Sequence, residues 1–302
     1  MTAYILIFLA VLCFTGQFAF TKIYEGAIKQ TVSTSLVMLT VTGTFGAALY
    51  LLIGGFRLQF SAISVLYAAI FALVMIPYYI IGIKALSYGS LAIYGMFMML
   101  GGMLIPFFYG IFILSEDITI GKLLGTVLLT IFIVLQALSK GEDNDEIREN
   151  KNVSSRRAFF FLCIIIFVLN GLTGIIAKAH QISERAIDEI SFTVISCFLT
   201  ALFSLLLLCL TRRKEKVGTV LSALKPKPLL IMLLIGGTTH TGNFLHLTAA
   251  GDVPASVQFP IVSGGVIALS AIISAFAFKE RLTCKEWISV TGAFASTVLF
   301  AF

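Results

Sequence analysis

The side chains best suited to binding a ligand lie in a short polar run, residues 238–246, inside an otherwise apolar stretch. The run contains three threonines, one asparagine and two histidines. His240 and Asn243 are three residues apart, so a helix places both on one face. His240 can change charge near neutral pH, which makes it the first candidate for a substrate contact or a proton-coupled group. The alternative is a histidine that only bonds a neighbouring backbone carbonyl.

The sequence lacks the residues that several kinds of functional site require. No Asp or Glu lies near the middle of an apolar stretch, which disfavours proton exchange through a buried carboxylate. The five cysteines show no paired metal-ligand spacing, and the apolar stretches hold no cluster of carboxylates or histidines for acid–base chemistry. No Gly-x-x-x-x-Gly-Lys loop is present to bind ATP. We therefore predict no enzymatic activity, no metal and no cofactor.

The composition indicates that lipid is the solvent around these stretches. Hydrophobic residues make up 59% of the chain and charged residues 12%, against about 25% charged in an average soluble domain. The apolar runs are continuous rather than alternating, and most are long enough to cross about 30 Å of hydrocarbon as helices. The ten predicted segments are 4–21, 32–53, 60–83, 90–114, 123–138, 158–177, 190–210, 228–247, 253–278 and 287–302.

Landmarks recur between the two halves of the chain. The tetrapeptide Glu-Asp-Ile-Thr at 116–119 follows the fourth segment, and Glu-Arg-Leu-Thr at 280–283 follows the ninth, 164 residues later. The glycine pair 101–102 corresponds to the pair 264–265 at an offset of 163. Their common order and near-constant spacing indicate a duplication.

The duplication divides the chain into a first repeat at 1–140, a polar linker at 141–157 and a second repeat at 158–302. Because each half holds five segments, the second half enters the membrane from the opposite side. Inverted repeats of this kind recur in secondary transporters. The predicted fold is an all-α polytopic membrane protein, with ten transmembrane helices arranged as two inverted five-helix repeats.

The ends of the first segment in each half carry a further pattern. Gly16 and Lys22 fit a glycine followed six residues later by lysine, and Gly171 with Lys178 fits it more loosely. Together with the small-residue break before the fourth segment and the Glu-x-aliphatic-Thr step after it, this pattern resembles the EamA-type branch of the drug/metabolite transporter superfamily. The resemblance covers nearly the whole chain and implies that the third and fourth helices of each repeat line a central cavity. The implied candidates for that cavity are Gln17, Tyr78, Tyr94, Asn170, His240, Asn243 and Gln258.

Each of these residues also has a structural interpretation. Intramembrane Asn and Gln often only bridge neighbouring helices, and Thr and Tyr are more often structural than ligand-binding. Lys22 and Lys178 could bind an anionic group, or their side chains could extend to the membrane interface.

Positive charge is concentrated in alternate connections. Those that follow odd-numbered segments hold 17 of the 21 Lys and Arg residues. The positive-inside rule places these connections in the cytoplasm and both termini outside, whereas the family resemblance implies cytoplasmic termini. Because the basic residues serve orientation in this interpretation, we expect no nucleic-acid partner despite the net charge of +6.

We predict a secondary transporter or exporter of small organic metabolites, such as amino acids or amphipathic compounds, that works by alternating access across the cell membrane. Its expected partners are a small-molecule substrate and the lipid bilayer, with monomer and homodimer both open. The alternatives are a membrane-embedded enzyme of lipid metabolism and a membrane scaffold without transport. The missing acid–base clusters weigh against the enzyme, and the duplication weighs against the scaffold.

Overall fold

The computed structural model describes residues 2–113, 115, 119–139, 153–211, 217–249, 253, 255–280 and 282–299. Glu116 and most of the predicted linker lie outside the described residues. Within them the chain forms eleven α-helices. These are α1 (Thr2–Ala27), α2 (Val32–Ile53), α3 (Ala62–Tyr88), α4 (Leu91–Phe112), α5 (Ile120–Ser139), α6 (Val153–Gln181), α7 (Glu189–Thr211), α8 (Val217–Ala223), α9 (Pro226–Ala249), α10 (Ala255–Phe276) and α11 (Cys284–Leu299).

Six of these helices, α1, α2, α3, α4, α6 and α7, are long and apolar enough to cross a membrane. Shorter apolar stretches lie in α5 and α10, at Leu123–Phe132 and Ile261–Phe276. The C-terminal half of α9 carries the polar run 238–246, which lowers the hydropathy of this 24-residue helix. The chain is therefore a helical membrane protein.

Several helices differ from their predicted limits: α3 continues to Tyr88 rather than residue 83, and α6 begins at Val153, inside the linker predicted at 141–157. We predicted that the first segment ends at residue 21, before Lys22, but α1 continues to Ala27. The helix continues because Lys22 finds a charged partner and Tyr24 is fully buried. The connection between the seventh and eighth predicted segments contains α8, whose seven residues are too few for a hydropathy pattern to detect. Ala223 of α8 packs into a cluster of buried side chains from α1, α2, α3 and α9.

Side-chain caps begin α2 and α11. Thr31 and Thr34 bond each other's backbone N–H at the start of α2, in a capping box. At the start of α11, Glu286 Oε2 accepts from Thr283 N at 2.7 Å and Thr283 Oγ1 accepts from Glu286 N at 3.2 Å. The threonine of the second Glu-x-aliphatic-Thr step is therefore a helix cap, which satisfies amides that the helix itself leaves unpaired.

Helix packing pairs the first half of the chain with the second. The most extensive contacts join α1 to α9, α2 to α7, α4 to α6, α3 to α6 and α5 to α11. The backbones of α2 and α7 approach closely, since a Cβ on Gly43 would lie 2.9 Å from the carbonyl oxygen of Cys197. The largest buried cluster lies among α1, α3, α4, α6, α10 and α11. The core is thus built between the halves rather than within each of them.

Candidate functional site

His240 lies in a tight interface between α9 and α2. Its side chain is buried, and its Nε2–H donates to the carbonyl oxygen of Thr42 at 3.2 Å. Tyr50 donates its hydroxyl to the His240 carbonyl at 3.0 Å, with the two rings edge to face at 5.8 Å. A Cβ added to Gly46 would overlap the imidazole ring. This is the arrangement expected of a histidine that bonds a backbone carbonyl.

Asn243 does not share this environment. It lies one turn further along α9, and its side chain is exposed on the surface of the bundle. The three-residue spacing puts both side chains on adjoining faces of α9, but α2 covers only His240. The structure therefore does not bring these two candidates together around one cavity.

Asn170 and Gln258 form bridges to backbone carbonyls of neighbouring helices. Asn170 of α6 donates its Nδ2–H to the carbonyl oxygen of Met98 in α4 at 2.6 Å. Gln258 of α10 is buried and donates its Nε2–H to the carbonyl oxygen of His246 in α9. The Gln258 Oε1 atom has no hydrogen-bond partner among the described residues. Both amides thus occupy the bridging geometry that intramembrane Asn and Gln commonly adopt.

Lys22 forms an ion pair with Glu280 of the other half. Its Nζ lies 2.9 Å from Glu280 Oε1 and donates to the carbonyl oxygens of Gly89 and Leu86 at 2.9 and 3.3 Å. Glu280 Oε2 accepts from Leu91 N at 3.1 Å and also from the Ser274 hydroxyl. The ammonium therefore sits at the C-terminal end of α3 and the carboxylate at the N-terminal end of α4, as the helix dipoles favour.

Because Glu280 and two backbone carbonyls already bond the Lys22 ammonium, it is not an open anion site in this structure. Lys178, its counterpart in the second repeat, lies partly exposed in the last turn of α6. Glu116, the sequence counterpart of Glu280, is outside the described residues.

Four aromatic side chains surround the point where α1, α3 and α4 meet, and we call Phe18, Tyr78, Tyr79 and Tyr94 the aromatic cluster. Phe18 and Tyr94 pack edge to face at 5.8 Å, and Tyr78 and Tyr79 at 5.2 Å. Ser270 of α10 borders the cluster beside Gly95 and Phe18. The hydroxyls of Tyr78 and Ser270 are buried and have no hydrogen-bond partner among the described residues. Such groups cost about 1–3 kcal/mol each unless a water or ligand bonds them.

The aromatic cluster lies directly beneath the Lys22–Glu280 ion pair. Phe18 precedes Lys22 by four residues in α1, and Ser270 precedes Ser274 by four in α10. In a helix four residues are about one turn, or about 5–6 Å along the axis. The ion pair therefore covers the cluster at one end of the bundle.

Of the predicted cavity residues, Tyr78 and Tyr94 belong to the aromatic cluster, and Gln17 is buried as they are. Phe18 and Ser270 were not selected from the sequence. Phe18 lies between Gln17 and Lys22 in α1, so a helix whose Gln17 and Lys22 face the interior also turns Phe18 towards the interior. Among the residues that the structure describes, no group of three or more His, Cys, Asp and Glu side chains is placed to hold a metal ion.

Comparison with known proteins identifies relatives in fold alone. No protein-family model matches the chain, and no curated protein matches its sequence. Twenty-seven solved protein chains are similar to it in structure. One, a crystal structure described only as that of a protein, is 16% identical and superposes with a TM-score of 0.55 over 98% of this chain and 95% of its own. At that identity the similarity establishes a shared fold and carries no information on activity.

Proposed function

We propose that this protein is a secondary transporter of the EamA-type branch of the drug/metabolite transporter superfamily, and that it exports small organic metabolites across the plasma membrane by alternating access. The observation that carries the proposal is the aromatic cluster. Its four side chains come from the first half, and Ser270 of the second half borders them. The Tyr78 and Ser270 hydroxyls there have no hydrogen-bond partner among the described residues, and the Lys22–Glu280 ion pair covers the cluster at one end.

Reciprocal packing supports ten spans in two inverted repeats. Helix α1 packs along α9 and α10, as its counterpart α6 packs along α3 and α4. The second glycine of each pair lies at an equivalent interface, since Gly102 of α4 meets Asn170 of α6 and Gly265 of α10 meets Val11 of α1.

The chemistry of the aromatic cluster suits uncharged or zwitterionic amphipathic substrates. Ligand pockets are mostly apolar and carry a few polar groups that orient the ligand. Here aromatic faces supply the apolar area, while the Tyr78 and Ser270 hydroxyls can bond a polar group. In alternating access, the Lys22–Glu280 ion pair holds one face closed, and its separation admits substrate from that face.

Transport into liposomes tests this function. Purified protein reconstituted without ATP is expected to move members of a panel of amino acids and amphipathic metabolites. Phe18→Leu is expected to change the KM of transport, whereas Phe8→Leu, a matched change at a 59% exposed position of the same helix, leaves it unchanged. Strict dependence on ATP, or wild-type kinetics in a folded Phe18→Leu variant, contradicts the proposal.

A further inference from the structure

A cleft lies between the C-terminal end of α1 and the N-terminal end of α9. It has a volume of about 600 Å³ and opens to the surface. Ile28 and Lys29 form one wall, and Ser222, Lys225 and Lys227 form the other. Helix α1 is long and apolar enough to span the membrane and ends at Ala27, so the cleft is at the depth where lipid headgroups lie.

The cleft is positively charged. Its three lysines are exposed, and no acidic side chain lines it among the described residues. Pro226 and Pro228 at the start of α9 carry no N–H, so the first turn of that helix offers few amide donors to an anion. The three ammonium groups must therefore provide most of the attraction for a bound anion.

Two exposed leucines flank Ser222 and Lys225 of the cleft in the sequence. Leu221 of α8 is 58% exposed and Leu224 is 45% exposed, although α8 itself is held to the bundle by the fully buried Ala223. A ligand with a phosphate and acyl chains matches both parts, because the phosphate meets the lysines and the chains cover the leucines.

We propose that this lysine-lined cleft, Lys29 with Lys225 and Lys227, is a binding site for the phosphate headgroup of an anionic phospholipid. Bound lipid bridges the end of α1 to the start of α9, two helices that pack along each other, and so stabilises their contact. This inference does not depend on the protein being a transporter.

The test measures the thermal unfolding midpoint of the full-length protein in detergent, during titration with eight-carbon phosphatidylglycerol. Eight-carbon phosphatidylcholine and inorganic phosphate are titrated in parallel. We expect a saturable rise in the midpoint with phosphatidylglycerol alone. The variant Lys29→Gln/Lys225→Gln, with one change in each wall, should bind about 25-fold more weakly, since each lysine near an anionic surface contributes about 1 kcal/mol.

The control is Lys84→Gln/Lys279→Gln, which removes two exposed lysines outside the cleft and should retain wild-type affinity. If the cleft variant does not fold, the single variants Lys29→Gln and Lys225→Gln should each weaken binding about fivefold. The proposal is overturned if inorganic phosphate produces the same rise, if phosphatidylcholine does, if the cleft variants bind as wild type, or if the control loses affinity equally.

Discussion

The Lys22–Glu280 ion pair permits a quantitative test by mutation. In Glu280→Gln, the amide can still accept from Leu91 N but no longer compensates the ammonium of Lys22. Removing one member of a fully buried ion pair costs about 3–5 kcal/mol. Here both side chains are partly exposed, at 16% and 19%, and Lys22 retains two carbonyl partners, so we expect a loss of about 2 kcal/mol.

A loss of that size should lower the unfolding midpoint by about 3 °C, because the entropy of unfolding is about 2.1 cal/mol/K per residue and the chain has 302 residues. Lys22→Met should cost a similar amount. The double variant Lys22→Met/Glu280→Gln should lose less than the sum of the single variants, with a coupling energy of about 1–2 kcal/mol. The measurement is the unfolding midpoint of all four proteins in one detergent.

The exchanged pair Lys22→Glu/Glu280→Lys separates two explanations. It would place a carboxylate against the carbonyls of Leu86 and Gly89 and an ammonium at the N-terminus of α4, so we expect no rescue. Additivity of the single variants within about 0.5 kcal/mol, or full rescue by the exchange, would refute the reasoning.

Two further predictions concern the helix interfaces. Gly46→Ala should destabilise the protein by about 1–3 kcal/mol, because the added methyl overlaps the His240 ring, and His240→Ala in the same chain should recover part of that loss. An equal loss in both backgrounds, measured by unfolding midpoint, would contradict this. Tyr78→Phe removes a buried hydroxyl that has no hydrogen-bond partner in the described part of the chain, so stability should rise by about 1 kcal/mol while the KM for transport increases. Reduced stability with unchanged KM would show that the hydroxyl bonds a structural partner and does not bind the substrate.

Hydropathy was sufficient to place the helices because lipid requires continuous apolar segments of fixed length. It failed where that requirement does not apply. Helix α8 is too short to register, and the last turn of α1 passes Lys22, a charge that a hydropathy pattern treats as a boundary. Only the tertiary structure shows that this charge is neutralised by Glu280, 258 residues later in the chain.

Only part of the candidate site could be predicted, because the packing of helices against one another is also a property of the tertiary structure. Helical spacing indicates which residues share a face, but not which helix covers that face. His240 and Asn243 satisfied the spacing, yet α2 buries only the histidine. Tyr78 and Tyr94 were selected through the family resemblance and do lie together, since helices three and four meet there. Phe18 carried no signal of its own, because a buried phenylalanine is ordinary in an apolar helix.

The ion pair over the aromatic cluster also has a consequence for affinity under the proposed function. A substrate that enters from the face closed by the ion pair binds only after that face opens. The free energy of opening therefore reduces the net free energy of binding from that face. A closed state favoured by about 2 kcal/mol lowers the apparent affinity there about 25-fold relative to the open site. The same molecule would then half-saturate the protein at different concentrations on the two sides of the membrane, although it occupies one site.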